Sequence, residues 1–64
     1  MNEYHISLAY TVKENHTIQA ESLAAAKQKA AFLVEDLLVQ HDGGEGWFDV
    51  IGPNDEHAEG EIHT

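Results

Sequence analysis

Tyr4-His5-Ile6-Ser7-Leu8-Ala9-Tyr10-Thr11-Val12 decides the fold, because Tyr4, Ile6, Leu8, Tyr10 and Val12 fall on one side of an extended chain and His5, Ser7, Ala9 and Thr11 on the other. A period of two is that of a half-buried strand. Lys13-Glu14-Asn15 follows as a hairpin loop, Asn being tolerant of positive φ, and His16 to Glu21 alternates again with Ile18 and Ala20 inward. A second strand returning beside the first is expected. Ser22 is suited to cap a helix, and Leu23 to about Gln40 is rich in Ala, Leu, Lys, Gln and Glu with neither Gly nor Pro. His41-Asp42-Gly43-Gly44 stops it, the glycines supplying the left-handed conformation common at helix C-termini. Trp47 to Ile51 reads as a third short strand ended by Gly52-Pro53, and Asn54 to Thr64 as a polar, acidic, flexible tail. The expected class is α+β: one ββαβ domain over residues 1–53, a three-stranded antiparallel sheet in the order 2-1-3 with one helix on one face, and a tail over 54–64.

Around the helix, at about 100° per residue, Leu23, Ala30, Val34 and Leu37 share a stripe with Ala26, Leu33 and Leu38 on its shoulders, and this stripe should lie on the sheet. Gln28, Lys29, Glu35, Asp36 and Gln40 occupy the opposite side, yet Ala25, Phe32 and Val39 recur in its midst at seven-residue spacing. One reading is ordinary surface, with Phe32 bent over a lysine stem or meeting the C-terminal tail. The other is a contact patch, an apolar centre with Glu35 and Asp36 as its rim. The uncovered sheet face poses the same question. If Phe48 and Val50 point into the core, Trp47, Asp49 and Ile51 point away from the helix, but alternation alone does not choose the face.

Charge divides the chain in two. Residues 1–34 balance Glu3, Glu14 and Glu21 against Lys13, Lys27 and Lys29, whereas Glu35 to Thr64 holds nine acids and no Lys or Arg, so the whole formal charge of −9 lies there. A field of one sign repels nucleic acid and anionic membrane and attracts basic surfaces. Direct nucleic-acid binding is further excluded because the chain has no arginine and no interleaving of basic and aromatic residues. Sixty-four residues bury only about 60% of their unfolded surface, and the chain has no cysteine to staple it, so oligomerisation, a homodimer in the simplest case, gains weight. The first residues form no basic-then-apolar leader, and the longest apolar run, Ala30 to Val34, is far shorter than the ~20 residues of a membrane span, so a cytoplasmic protein without membrane partners is expected.

The chemistry available is sparse. Asp55-Glu56-His57-Ala58-Glu59-Gly60-Glu61-Ile62-His63 offers oxygen and imidazole ligands, but it fits no His-Glu-x-x-His or calcium-loop template and lies in a stretch expected to lack rigidity, so no metal or other cofactor is expected. His41 lies on the core stripe at the helix end, a place for a structural imidazole beside the helix dipole. Without cysteine or a glycine-rich phosphate loop, and with Ser7 in a strand and Ser22 at a cap, an enzyme is not expected.

The runs Tyr4 to Val12 and then His16-Thr17-Ile18-Gln19-Ala20-Glu21-Ser22-Leu23-Ala24-Ala25-Ala26 resemble the opening of small phage and mobile-element proteins of the DpnD/PcfM type: strand, strand ending in Ala-Glu-Ser, Ala-rich helix. The resemblance covers about the first half, carries over no functional residue, and implies a setting, that of a small accessory protein acting on a host protein. Together these readings lead to a non-enzymatic acidic protein that occupies the basic, nucleic-acid-binding surface of a host protein as a DNA-mimic inhibitor, through Glu35, Asp36, Asp42, Glu45, Asp49, Asp55 and Glu56. The alternative is a homo-oligomeric or adaptor module binding through Phe32, Val39 and Trp47. Acidity that serves only solubility is the third reading.

Overall fold

The computed structural model describes residues 2–41 and 43–63. Strand β1 (Asn2–Ala9) pairs antiparallel with β2 (Lys13–Ala20), helix α1 (Leu23–Gln40) follows, and β3 (Glu45–Ile51) returns beside β1. A turn at Pro53–Asp55 then leads into β4 (His57–His63), which pairs antiparallel with β3. The sheet has four strands in the order β2-β1-β3-β4, with one helix. The expected three-stranded sheet is thus corrected by one strand, formed from the stretch read as a tail.

The missing strand has a physical explanation. His57, Glu59, Glu61 and His63 are exposed and alternate with half-buried Ala58, Gly60 and Ile62, so the period of two is present, but mostly small residues carry its inner side. Gly60 is a close approach: a Cβ there would lie 2.6 Å from Cζ of Phe48, whose ring covers the glycine from the opposite strand. Between β3 and β4, Asn54 and Asp55 take left-handed φ values of 60° and 61°, a conformation these two residue types tolerate better than most. Gly52 N–H donates to the carbonyl of Glu56 at 2.9 Å and closes the turn.

The first hairpin also turns earlier than the alternation implied. Ala9 pairs with Lys13, so Tyr10-Thr11-Val12 forms the turn, Lys13-Glu14-Asn15 lies in β2, and Val12 is exposed. The ladder runs from Asn2↔Ala20 to Ala9↔Lys13, longer than a loop at residues 13–15 would have allowed, and Tyr10 is freed to donate its hydroxyl to Glu14 Oε2 at 2.5 Å.

Helix α1 begins and ends as its residues require. The Ser22 side chain accepts from Ala25 N–H at 3.2 Å. Beyond the C-terminus Gly43 has φ 83°, its N–H donating to the Leu38 carbonyl. Ala26, Ala30, Val34 and Leu38 form the buried row, whereas Leu23, Leu33 and Leu37 are half-buried flanks and Ala25 also packs on the core instead of standing outside. A row spaced by four is a helix ridge inclined to the axis, which places Leu38 rather than Leu37 on the sheet. The core is completed by Tyr4, Ile6, Leu8, Ala20, Phe48 and Val50. The Tyr4 hydroxyl is buried and finds no hydrogen-bond partner among the described residues. No helix of the described residues is long and apolar enough to cross a membrane.

Candidate functional site

Since Tyr4, Ile6, Leu8, Phe48 and Val50 face the helix, the residues between them face out, and the registers set them in rows across four strands. Thr17, His5, Ile51 and His57 form one row, Asn15, Ser7, Asp49 and Glu59 the next, and Lys13, Ala9, Trp47 and Glu61 the third. Glu45 and His63 continue the array on β3 and β4. Trp47 is 46% exposed and donates its indole N–H to Glu61 Oε1 at 2.9 Å. A shallow groove runs past it between Ser7, Ala9 and Lys13 on one side and Asp49, Glu59 and Glu61 on the other.

This face is acidic. Glu3, Glu45, Asp49, Glu59 and Glu61 lie on it with Lys13 as its only lysine. Imidazoles are interleaved with the carboxylates: His57 Nε2 is 3.4 Å from Asp49 Oδ1, His63 Nδ1 is 3.4 Å from Glu45 Oε1, and His63 Nε2 is 3.2 Å from Glu61 Oε2. His5 Nε2 lies 3.6 Å from Glu3 Oε1.

The residues expected to bind a partner fall in three places. Glu45, Trp47 and Asp49 belong to the open sheet face. Glu35, Asp36, Phe32 and Val39 lie on the outer side of α1, where Phe32 and Val39 are 63% and 65% exposed and Asp36 Oδ2 accepts from Gln40 Nε2 at 2.9 Å. Asp55 and Glu56 sit at the β3–β4 turn, and Asp42 lies outside the described residues. The fold therefore does not gather the named acids into one surface. It gathers Glu45 and Asp49 with Glu59 and Glu61, two acids that reading β4 as a tail had hidden.

A second cluster lies at the hairpin turn. Glu14 accepts from the Tyr10 hydroxyl, and its Oε1 lies 2.9 Å from His16 Nε2. The Tyr10 hydrogen bond, then that of His16, holds the Glu14 carboxyl below the ordinary glutamate range, and the same bond to Glu14 raises the Tyr10 phenol. His41 is exposed at the helix end, not in the core, with its ring 5.2 Å from that of Tyr10. The cluster ties the turn to the helix C-terminus.

No protein-family model, curated protein or solved structure matches this chain.

Proposed function

We propose that this chain is a non-enzymatic binding protein whose acidic open sheet face docks on a basic surface of another protein, occupying a site that otherwise takes nucleic acid. The supporting observation is the array of Glu45, Asp49, Glu59 and Glu61 around exposed Trp47 on two rigidly paired strands. Glu45, Glu61 and the Asp49/Glu59 pair stand at three levels about 6.8 Å apart along the strands, every second step of the roughly 3.4 Å that separates charges along one strand of a DNA duplex. Trp47 adds what phosphates lack, a large apolar surface that an aliphatic or guanidinium stem can cover. A phage or mobile-element inhibitor of a host nucleic-acid enzyme, the setting implied by the resemblance of the first half, has this character.

The experiment is capture of a partner from host-cell lysate, then titration of that partner with wild type, an Asp49→Asn/Glu59→Gln/Glu61→Gln triple and a Glu35→Gln/Asp36→Asn double. Each titration is run at low and high salt, with and without duplex DNA as competitor. The sheet-face triple should lose at least about tenfold in affinity, the helix double much less, and binding should weaken with salt on a screening length of ~10 Å at 0.1 M. Equal losses from both variants, indifference to salt, or no competition from DNA would reject the reading.

A second reading rests on the exposure of Phe32 and Val39 on the outer side of α1. Two copies packing these residues together would form a homodimer. Sedimentation at micromolar concentration should then show a dimer that Phe32→Glu dissolves without unfolding; a monomer in both removes this reading.

A further inference from the structure

We infer that Asp49, His57 and Glu59 form a binding site for a divalent transition-metal ion of the Zn²⁺ class. The site shares Asp49 and Glu59 with the docking surface but is a separate activity: a bound dication would offset the charge of those two acids, and its binding is read without any protein partner. One ligand atom from each residue, two carboxylate oxygens and one imidazole nitrogen, lies within 4.8 Å of the others. Asp49 and Glu59 are direct cross-strand partners on β3 and β4, and His57 stands two residues before Glu59 on the same face. All three sit on paired strands rather than in a loop, so the lack of rigidity that argues against a metal in the sequence does not apply.

The distances suit a bound ion. Ligands at about 2.0–2.2 Å from a tetrahedral Zn²⁺ stand about 3.4 Å from one another. His57 Nε2 and Asp49 Oδ1 are already 3.4 Å apart, so only the Glu59 carboxylate must swing in, and it is an exposed side chain free to do so. Two carboxylates placed directly opposite on adjacent strands repel each other, and a cation between them turns that repulsion into attraction. A mixed imidazole and carboxylate set without sulfur suits Zn²⁺ and its neighbours better than Ca²⁺, which asks for six or more oxygens. Three protein donors leave the fourth tetrahedral position to water.

The contrast with His63 sharpens the choice. There Glu45 approaches Nδ1 and Glu61 approaches Nε2, on opposite edges of the ring, so the two carboxylates do not converge on one ion with that imidazole. At the hairpin turn, Glu14 is engaged by both Tyr10 and His16. Asp49, His57 and Glu59 are the one convergent set among the described residues.

The test is isothermal titration of the purified chain with Zn²⁺ in a non-chelating buffer, on wild type and on His57→Ala, Glu59→Gln and His63→Ala, each checked by circular dichroism. Wild type should bind one equivalent. His57→Ala and Glu59→Gln should weaken binding at least about tenfold, and His63→Ala should change it less than about twofold. All three residues are exposed, so the variants keep the fold. No saturable binding up to millimolar Zn²⁺, binding undiminished in His57→Ala, or binding abolished by His63→Ala would each overturn the assignment.

Discussion

Helix α1 packs directly over Gly46, and Gly46→Ala tests that packing. A Cβ at this position would lie 2.5 Å from Val34 Cγ1, 3.3 Å from Leu38 Cδ1 and 3.4 Å from the Ala9 carbonyl oxygen. Carbon atoms rest at about 3.5–4.0 Å, so the new methyl intrudes on Val34 by at least about 1 Å. Val34 is fully buried and, as a β-branched residue in a helix, is held to one preferred rotamer, so the backbone must shift instead. Overpacking of this kind costs about 1–3 kcal/mol. Replacing a strand glycine returns about 0.5–1 kcal/mol of conformational entropy. A clash of about 1 Å on a side chain that cannot turn away belongs in the upper half of that overpacking range, so the net loss should be about 1–2.5 kcal/mol, and in a domain this small each kcal/mol lowers the thermal midpoint by about 4–8 °C. Urea and thermal unfolding followed by circular dichroism measure it. Val34→Ala alone leaves a cavity and costs about 2 kcal/mol, but in the double variant the new methyl fills that space, so the two losses should fall short of additivity by about 1–2 kcal/mol. An unchanged midpoint in Gly46→Ala, or strict additivity in the double, would refute the close-approach argument.

Two further outcomes follow from hydroxyl groups. Tyr4→Phe removes a buried hydroxyl that has no partner among the described residues, so it should leave stability unchanged or raise it by about 1 kcal/mol; a loss above about 1 kcal/mol in urea unfolding would show that the hydroxyl is engaged. Tyr10→Phe removes the main cause of the lowered Glu14 pKa. A carboxylate whose folded pKa lies below its unfolded value contributes stability above the unfolded pKa and loses it as pH falls through the folded one. The variant should therefore be less stable than wild type at neutral pH, with the gap narrowing as pH falls through the range in which Glu14 becomes protonated; denaturation at pH 7 and pH 3 measures this, and an equal gap at both values would contradict it.

The helix was the most legible part of the sequence, because Ser22 and the Gly43-Gly44 pair mark its ends chemically and the twenty intervening residues without Gly or Pro leave little choice. The first hairpin was legible only in part. Its observed turn is displaced by three residues from the expected one, which changes every cross-strand partner by an even number, so Tyr4, Ile6, Leu8 and Ile18 keep their face in either register. Periodicity cannot separate two such registers; ladder length and the Tyr10–Glu14 hydrogen bond do. In β4 the inner side of the alternation is Ala58, Gly60 and Ile62, too little apolar surface to register as a strand without knowledge of the Phe48 ring above Gly60. The same omission hid half of the candidate site. Trp47 and Asp49 could be placed on the open face conditionally, from Phe48 and Val50, whereas His57, Glu59 and Glu61 acquire a face only when β4 exists.

The strand order has a kinetic consequence. Strands β1 and β2 are neighbours in sequence, as are β3 and β4, so each pair zips by short loop closure, but β1 meets β3 across about forty residues that include the whole helix. The central ladder, with Leu8 beside Phe48, is the step that carries the long closure entropy and should set the pace of folding. Truncations of Leu8 or Phe48 should slow refolding in stopped-flow, whereas truncation of Ile62 on the outer strand should chiefly hasten unfolding. The chain is then two early hairpins awaiting one late seam, and the strand that seam must find lies beyond the whole helix.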